Sequence, residues 1–151
     1  MIGTCNGLLC LYRRHGDVVV VNPVTGEKIV VPPPPKTPVA LEPAAAYSFA
    51  YHPATGLYKI VHVPCHGDGD GWPFDAVSVL TLGDGSWRQV PVPVGTSCRL
   101  SIGLVSFDGA TYWVASDARS VMAFDLQNER VAVVAQLPVV RGRLGWSSLF
   151  I

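Results

Sequence analysis

A chain of 151 residues with 49% apolar and 15% charged residues is the size of one domain and can bury a core. Its 11 basic and 11 acidic residues cancel, which argues against the basic surface that a nucleic-acid binder uses to displace counterions. No apolar run approaches the roughly 20 residues of a membrane span, and the start of the chain shows neither the basic opening nor the small-residue exit of a secretory signal.

In chain order, residues 1–5, Asn6-Gly7 and residues 8–13 read as strand, type I′ turn and strand, because Asn-Gly tolerates the positive φ that this turn requires. A loop at 14–17 follows. Residues 18–22 and 27–31 form a second hairpin around Pro23-Val24-Thr25-Gly26. Four prolines at 32–35 end it in an extended polyproline conformation, and 36–46 is a crossing link. The order then returns. Residues 47–52 and 57–64 flank Pro53-Ala54-Thr55-Gly56, a polar glycine-rich loop spans 65–73, and a hairpin at 74–93 turns at Gly83-Asp84-Gly85-Ser86. A third round places strands at 101–107, 111–116, 120–126 and 130–137, with turns at Asp108-Gly109, 117–119 and 127–129.

The turn glycines Gly7, Gly56 and Gly109 fall roughly 50 residues apart, a period expected of propeller blades. The strand-ending prolines Pro32, Pro91 and Pro138 keep similar spacing. An antiparallel sandwich also has many short strands, but here the turns recur in order as well as in number. The expected fold class is therefore all-β: an incomplete β-propeller of about three four-stranded antiparallel blades, 2–35, 47–93 and 101–138, with a tail at 139–151. About 4–8 blades close a propeller, so the chain reads as a piece of a longer architecture or as a truncated relative of one.

Cys5, Cys10, Cys65 and Cys98 are even in number, but a turn at Asn6-Gly7 sets Cys5 opposite Leu8 and Gly3 opposite Cys10. The nearest pair is then offset, which disulfide geometry tolerates poorly, so free thiols in a reducing compartment, cytoplasmic or nuclear, are expected. A zinc site from Cys5, Cys10, Cys65 and His66 lacks knuckle spacing, and strand alternation is taken to point Cys5 and Cys10 to opposite faces. The run His66-Gly67-Asp68-Gly69-Asp70-Gly71 lacks the later ligands of a calcium loop and precedes a strand, so it fits a solvated loop better than a metal or phosphate site. No G-x-S-x-G, H-E-x-x-H or paired-carboxylate pattern is present; no catalytic residue, metal or cofactor is expected. His52, in a turn, and His62, in an alternating strand, read as structural. Trp87, Trp113, Tyr58 and Tyr112 read as core or cross-strand pairs.

In such blades the loops joining second to third strands, and each blade to the next, gather at one end. Loops on a rigid scaffold carry binding. The anchors placed there are Arg13, Arg14, His66, Trp72, Phe74 and Arg119, since arginine and aromatic residues dominate interaction hot spots. The competing reading for Trp72 and Phe74 is packing between blades.

The stretches Thr4-Cys5-Asn6-Gly7-Leu8-Leu9-Cys10-Leu11, Asn22-Pro23-Val24-Thr25-Gly26, Phe49-Ala50-Tyr51-His52-Pro53-Ala54-Thr55-Gly56-Leu57-Tyr58-Lys59-Ile60-Val61 and Ser86-Trp87-Arg88 together resemble the F-box-associated domain of plant F-box proteins. Phe107-Asp108-Gly109, Tyr112-Trp113 and Ala123-Phe124-Asp125-Leu126 match its later part, so the resemblance covers roughly residues 2–138, with 141–151 diverging. It implies a kelch-like module that captures the target protein of a cullin–RING ubiquitin ligase. Contact with the Skp adaptor is expected only if an F-box is present upstream, for none precedes Ile2 here. An enzyme on a propeller, a carbohydrate-binding module or a truncated product without ligase function are the alternatives. The first needs a metal or acid–base cluster at the loop end, the second several exposed aromatics on one surface.

Overall fold

Asn6 at φ 49° and Gly7 at φ 81° turn β1 (Gly3–Cys5) back into β2 (Leu8–Tyr12), with both central residues of the turn left-handed as a type I′ hairpin demands. The computed structural model describes residues 1–13, 17–34, 46–64, 73–99 and 103–138. The expected polar loop at 65–73 lies almost wholly outside them, as do most of the link 36–46 and the tail 139–151. Among the described residues, β3 (Val18–Val21) and β4 (Lys28–Val31) complete the first sheet. The second contains β5 (Tyr47–His52), β6 (Leu57–His62), β7 (Ala76–Thr81) and β8 (Arg88–Pro91). The third contains β9 (Val105–Phe107), β10 (Ala110–Val114), β11 (Ser120–Asp125) and β12 (Arg130–Gln136).

Each sheet is a four-stranded antiparallel meander in simple sequence order. The three blades expected from the turn period are therefore present. Short turns account for most of this topology, since connections of two to six residues return a strand beside its predecessor; the β6–β7 connection at 63–75 is longer. The turns have a shared construction. The amides of Gly26 and Gly56 each donate to the carbonyl four residues earlier, at Asn22 (2.8 Å) and His52 (2.9 Å). The amide of Glu129 does the same to Asp125, at 2.8 Å. Both glycines have positive φ, and Glu129 takes φ 54° at the same place in its turn. A glutamate there accepts a conformation that glycine adopts without cost, which marks it for the packing described below.

β1, β5 and β9 lie side by side at the inner edge of the three sheets. Two apolar layers separate the blades. In the first, Cys10, Val18, Val20 and Val31 of blade 1 meet Tyr47, Phe49, Ile60 and Leu80 of blade 2. In the second, Ala50, Val61, Val77 and Val79 of blade 2 meet Trp113, Met122, Phe124 and Val131 of blade 3. The middle blade is buried on both faces, so its strands read as near-continuous apolar runs rather than as clean alternation. Trp113 is 1% exposed, and its indole N–H donates to the carbonyl of Ser97 at 3.0 Å, tying the link between blades 2 and 3 to the core.

One expectation is corrected. Cys5 and Cys10 share a face of blade 1, and both touch the first apolar layer. The register is the expected one, Gly3 opposite Cys10 and Cys5 opposite Leu8. In that register Cys10 sits two residues along from the partner of Cys5, and period-two side chains then point the same way.

Candidate functional site

The blades hold one end of the molecule together through links rather than strands. The amide of Phe74 donates to Thr96 (2.9 Å), the amide of Val63 to Ala46 (3.0 Å), and the amide of Ser116 to the Ser97 hydroxyl (3.0 Å). Arg99 donates Nε and Nη2 to the carbonyl of Ser116 at 3.2 and 2.9 Å. The described loops after β6, β8 and β10 are therefore crossbraced at the end where second and third strands join. Such bracing limits the conformational entropy a partner would have to remove on binding.

Of the six anchors, Arg13, Phe74 and Arg119 lie in described residues; Arg14, His66 and Trp72 lie outside them. Arg13 is exposed at the end of β2 and gives its guanidinium to Asp17, with Nε at 3.0 Å from Oδ1. That carboxylate, by hydrogen bond first, raises the arginine further above its usual range. Arg119 is exposed in the turn between β10 and β11, where its amide donates to Asp117 Oδ1 at 2.9 Å. Phe74 is half-buried against the layer between blades 2 and 3, so its ring supports the loop from beneath. Arg13 follows β2 on blade 1 and Arg119 follows β10 on blade 3. They mark two sides of one end rather than a single cluster.

The opposite end carries features that the linear pattern did not single out. A depression of about 150 Å³ lies where the inner strands converge, lined among others by Thr4, Cys5, Tyr51, Phe107 and Asp108. Nearby, Ser106 shares a hydrogen bond with Ser48 and lies 2.9 Å from the Thr111 hydroxyl, so three blade-facing hydroxyls satisfy one another across blades 2 and 3. Their signal in the sequence is only a polar residue in an otherwise apolar strand.

At the rim of that end, Lys59 is 7% exposed and reaches across the interface. Its ammonium donates to the carbonyl of Leu126 and, at 2.9 Å, to Glu129 Oε2. Arg88 donates to the same carboxylate from blade 2, to Thr81 Oγ1 at 3.1 Å, and pairs with Asp84 at 3.4 Å. Burial opposes the charge of Glu129, but hydrogen bonds from Arg88 and then Lys59 outweigh it and hold the carboxyl below its usual range. Asp125 is also held down, chiefly by the amide of Asn128 that it caps. The cluster is a clamp between blades: both cations find their counter-charge, and nothing in it is poised for proton transfer.

Among the described residues no group of three or more histidine, cysteine or carboxylate side chains is placed to hold a metal ion. Cys5, Cys10 and Cys98 are free thiols. Cys10 is wholly buried, and burial pushes its thiol up to about 12. Alkylation at mildly alkaline pH should therefore label Cys5, which is partly exposed, well before Cys10 and Cys98. Peptide mass spectrometry after a short iodoacetamide pulse reads the order, and early labelling of Cys10 would contradict the blade 1 register. His52 sits 7% exposed with Nδ1 at 3.0 Å from Thr55 Oγ1, and His62 packs at 4.7 Å between ring centroids against Tyr47. Both serve the scaffold. Tyr58 stacks on Phe49 at 5.7 Å and Trp87 donates Nε1 to the carbonyl of Pro32 at 2.7 Å, which occupies them structurally.

Three meanders packed face to face, with crossbraced loops at one end, define a domain built of propeller-type blades. The chain belongs to the F-box associated beta propeller domain family, whose pattern it matches over residues 1–146, past the Pro138 limit of the motifs read above. It is 27% identical over 143 residues to an Arabidopsis thaliana protein named as an F-box protein, At1g33530, covering 89% of this chain and 29% of that one. It is 31% identical over 144 residues to At3g20710, named as an F-box/kelch-repeat protein of the same plant, covering 89% and 35%. The chain thus spans about a third of the length of the relatives it matches.

Proposed function

We propose that this domain is the target-binding part of an SCF-type ubiquitin ligase receptor, working in the cytoplasm or nucleus, and that it performs no chemistry of its own. The observation that carries the reading is the family match across all three blades, together with a braced loop end that offers Arg13 and Arg119 to a partner. The partner is a protein, and docking on the Skp adaptor belongs to an F-box rather than to these blades. Among the described residues no helix is long and apolar enough to cross a membrane.

The test joins the chain to a known F-box and expresses it in plant cells with and without proteasome inhibitor. At least one protein should fall in abundance only when the proteasome is active, and should bind the purified chain directly. Arg119→Glu should weaken that binding roughly tenfold or more, as loss of an arginine hot spot does, while leaving the circular dichroism spectrum unchanged. Selective binding on a glycan array, or target binding indifferent to both Arg13→Glu and Arg119→Glu, would displace the reading.

A further inference from the structure

The turn between β10 and β11 closes at 115–119, where the amide of Ala115 donates to Ser120 at 2.9 Å and that of Ala118 to Ala115 at 2.8 Å. Two arginines meet there. Arg99, which the linear pattern did not single out, donates its amide to the carbonyl of Val114 at 2.7 Å and both Nε and Nη2 to the carbonyl of Ser116. Ser97, two residues back, fastens the same turn through the amide and hydroxyl of Ser116. The guanidinium is therefore anchored rather than loose on its stem. It has five N–H donors; two are spent on Ser116, and the others, the Nη1 pair included, have no acceptor among the described residues. Arg119 is held through its backbone, its amide on Asp117 Oδ1 and its carbonyl accepting from Leu137. Its side chain is exposed, and no carboxylate among the described residues pairs with it. Arg13, at the same end, differs because Asp17 already neutralises it.

We propose that the turn at 115–119 seats an acidic side chain of the bound protein, an aspartate or glutamate carboxylate on the outward donors of Arg99 with Arg119 beside it. This seat belongs to the receptor reading above and rests on it, naming the chemistry that the loop end selects. A planar carboxylate matches the guanidinium fork, and such charge-assisted pairs are stronger than neutral hydrogen bonds. An anchored guanidinium also loses less freedom on binding than a free one. Charge sets the class of acid. Asp117 lies in the same turn, so two guanidinium charges less one carboxylate leave a single positive charge. A carboxylate cancels it, whereas a phosphate group, at about −1.5 to −2, would overfill it.

Selection of a random displayed peptide library on the full chain, followed by titration of the synthesised winners, tests the seat. Winning peptides should be enriched in aspartate and glutamate, and exchanging the acid for its amide should weaken binding about tenfold. Arg99→Lys keeps the charge but not the fork, and should lose about as much. Arg13→Gln should change binding less than about twofold, since that arginine is already paired. If Arg99→Lys fails to fold by circular dichroism, Arg119→Gln takes its place, with a loss of about threefold or more and a weaker salt dependence. Winners without acidic residues, no winners, or affinity untouched by both arginine variants would overturn the proposal. So would tighter binding when phosphoserine replaces the acid, which indicates a phosphate site. A target of the F-box fusion that needs Arg13 but ignores Arg99 and Arg119 rejects the acidic seat alone and leaves the receptor reading standing. Acidic peptides bound through Arg99, with no proteasome-dependent target, support the seat and count against the receptor reading.

Discussion

Replacing Glu129 by alanine is expected to lower stability by about 3 kcal/mol, within the range for breaking a buried ion pair from one side. The reason lies with the partners left behind. Lys59, 7% exposed, would keep its charge in the layer between blades with only the carbonyl of Leu126 for company, and Arg88 would lose its cross-blade acceptor. For a chain of this size the melting temperature should fall by roughly 6–12 °C. Glu129→Gly should cost about 1 kcal/mol less than alanine, because glycine relieves the backbone at φ 54° while still removing the carboxylate. Lys59→Met should be milder still, since Glu129 retains Arg88 and the methionine fills the space. The double variant Lys59→Met, Glu129→Ala should then fall short of the sum of the singles, the mark of direct coupling. Additive losses would show that Lys59 and Glu129 do not stabilise the interface through one another.

The same carboxylate gives stability a pH dependence of known sign. Glu129 and Asp125 hold protons less tightly folded than unfolded. Their contribution is therefore full above the ordinary carboxylate range, about pH 4, and is lost as pH falls through the lowered folded values. Glu129→Ala should flatten the acid limb of a urea-midpoint profile, leaving the residual slope of Asp125. An unchanged profile would contradict the clamp.

The second large effect is expected at Trp113. Truncation to alanine removes the largest side chain of the layer between blades 2 and 3 and should cost about 4 kcal/mol, or roughly 8–16 °C in melting temperature. Trp113→Phe separates packing from hydrogen bonding. It keeps most of the ring but leaves the Ser97 carbonyl unpaired, a loss of about 1–2 kcal/mol. Its diagnostic is local. The amide of Ser116 donates to Ser97 Oγ, so hydrogen exchange there should accelerate more than at β6 amides if the indole anchors the link. Uniform acceleration across the chain would assign Trp113 to bulk packing alone.

Strands, turns and blade order were legible because they depend on neighbours in the chain. Asn6-Gly7, Asp108-Gly109 and Thr-Gly at 55–56 dictate where the backbone reverses, and a short reversal leaves only an antiparallel neighbour. The register of β1 on β2 follows from the same turn. The facing of Cys5 and Cys10 was equally implicit there, because a step of two along the partner strand returns side chains to the same face. Of the candidate binding residues, the exposure of Arg13 and Arg119 at loop ends was legible, as polar residues beside apolar strands must be.

Whatever spans two blades was not legible. Lys59 and Glu129 are 70 residues apart, and neither position is unusual until β6 and the turn after β11 are brought together. Phe74 could equally have faced a partner or the core, and it lies half-buried against the second apolar layer. Local backbone chemistry has a short reach, set by rotation about a few φ and ψ angles, so the sequence by itself determined the three meanders. Which faces meet depends on burying apolar area between segments distant along the chain, and that only the packed tertiary structure decided.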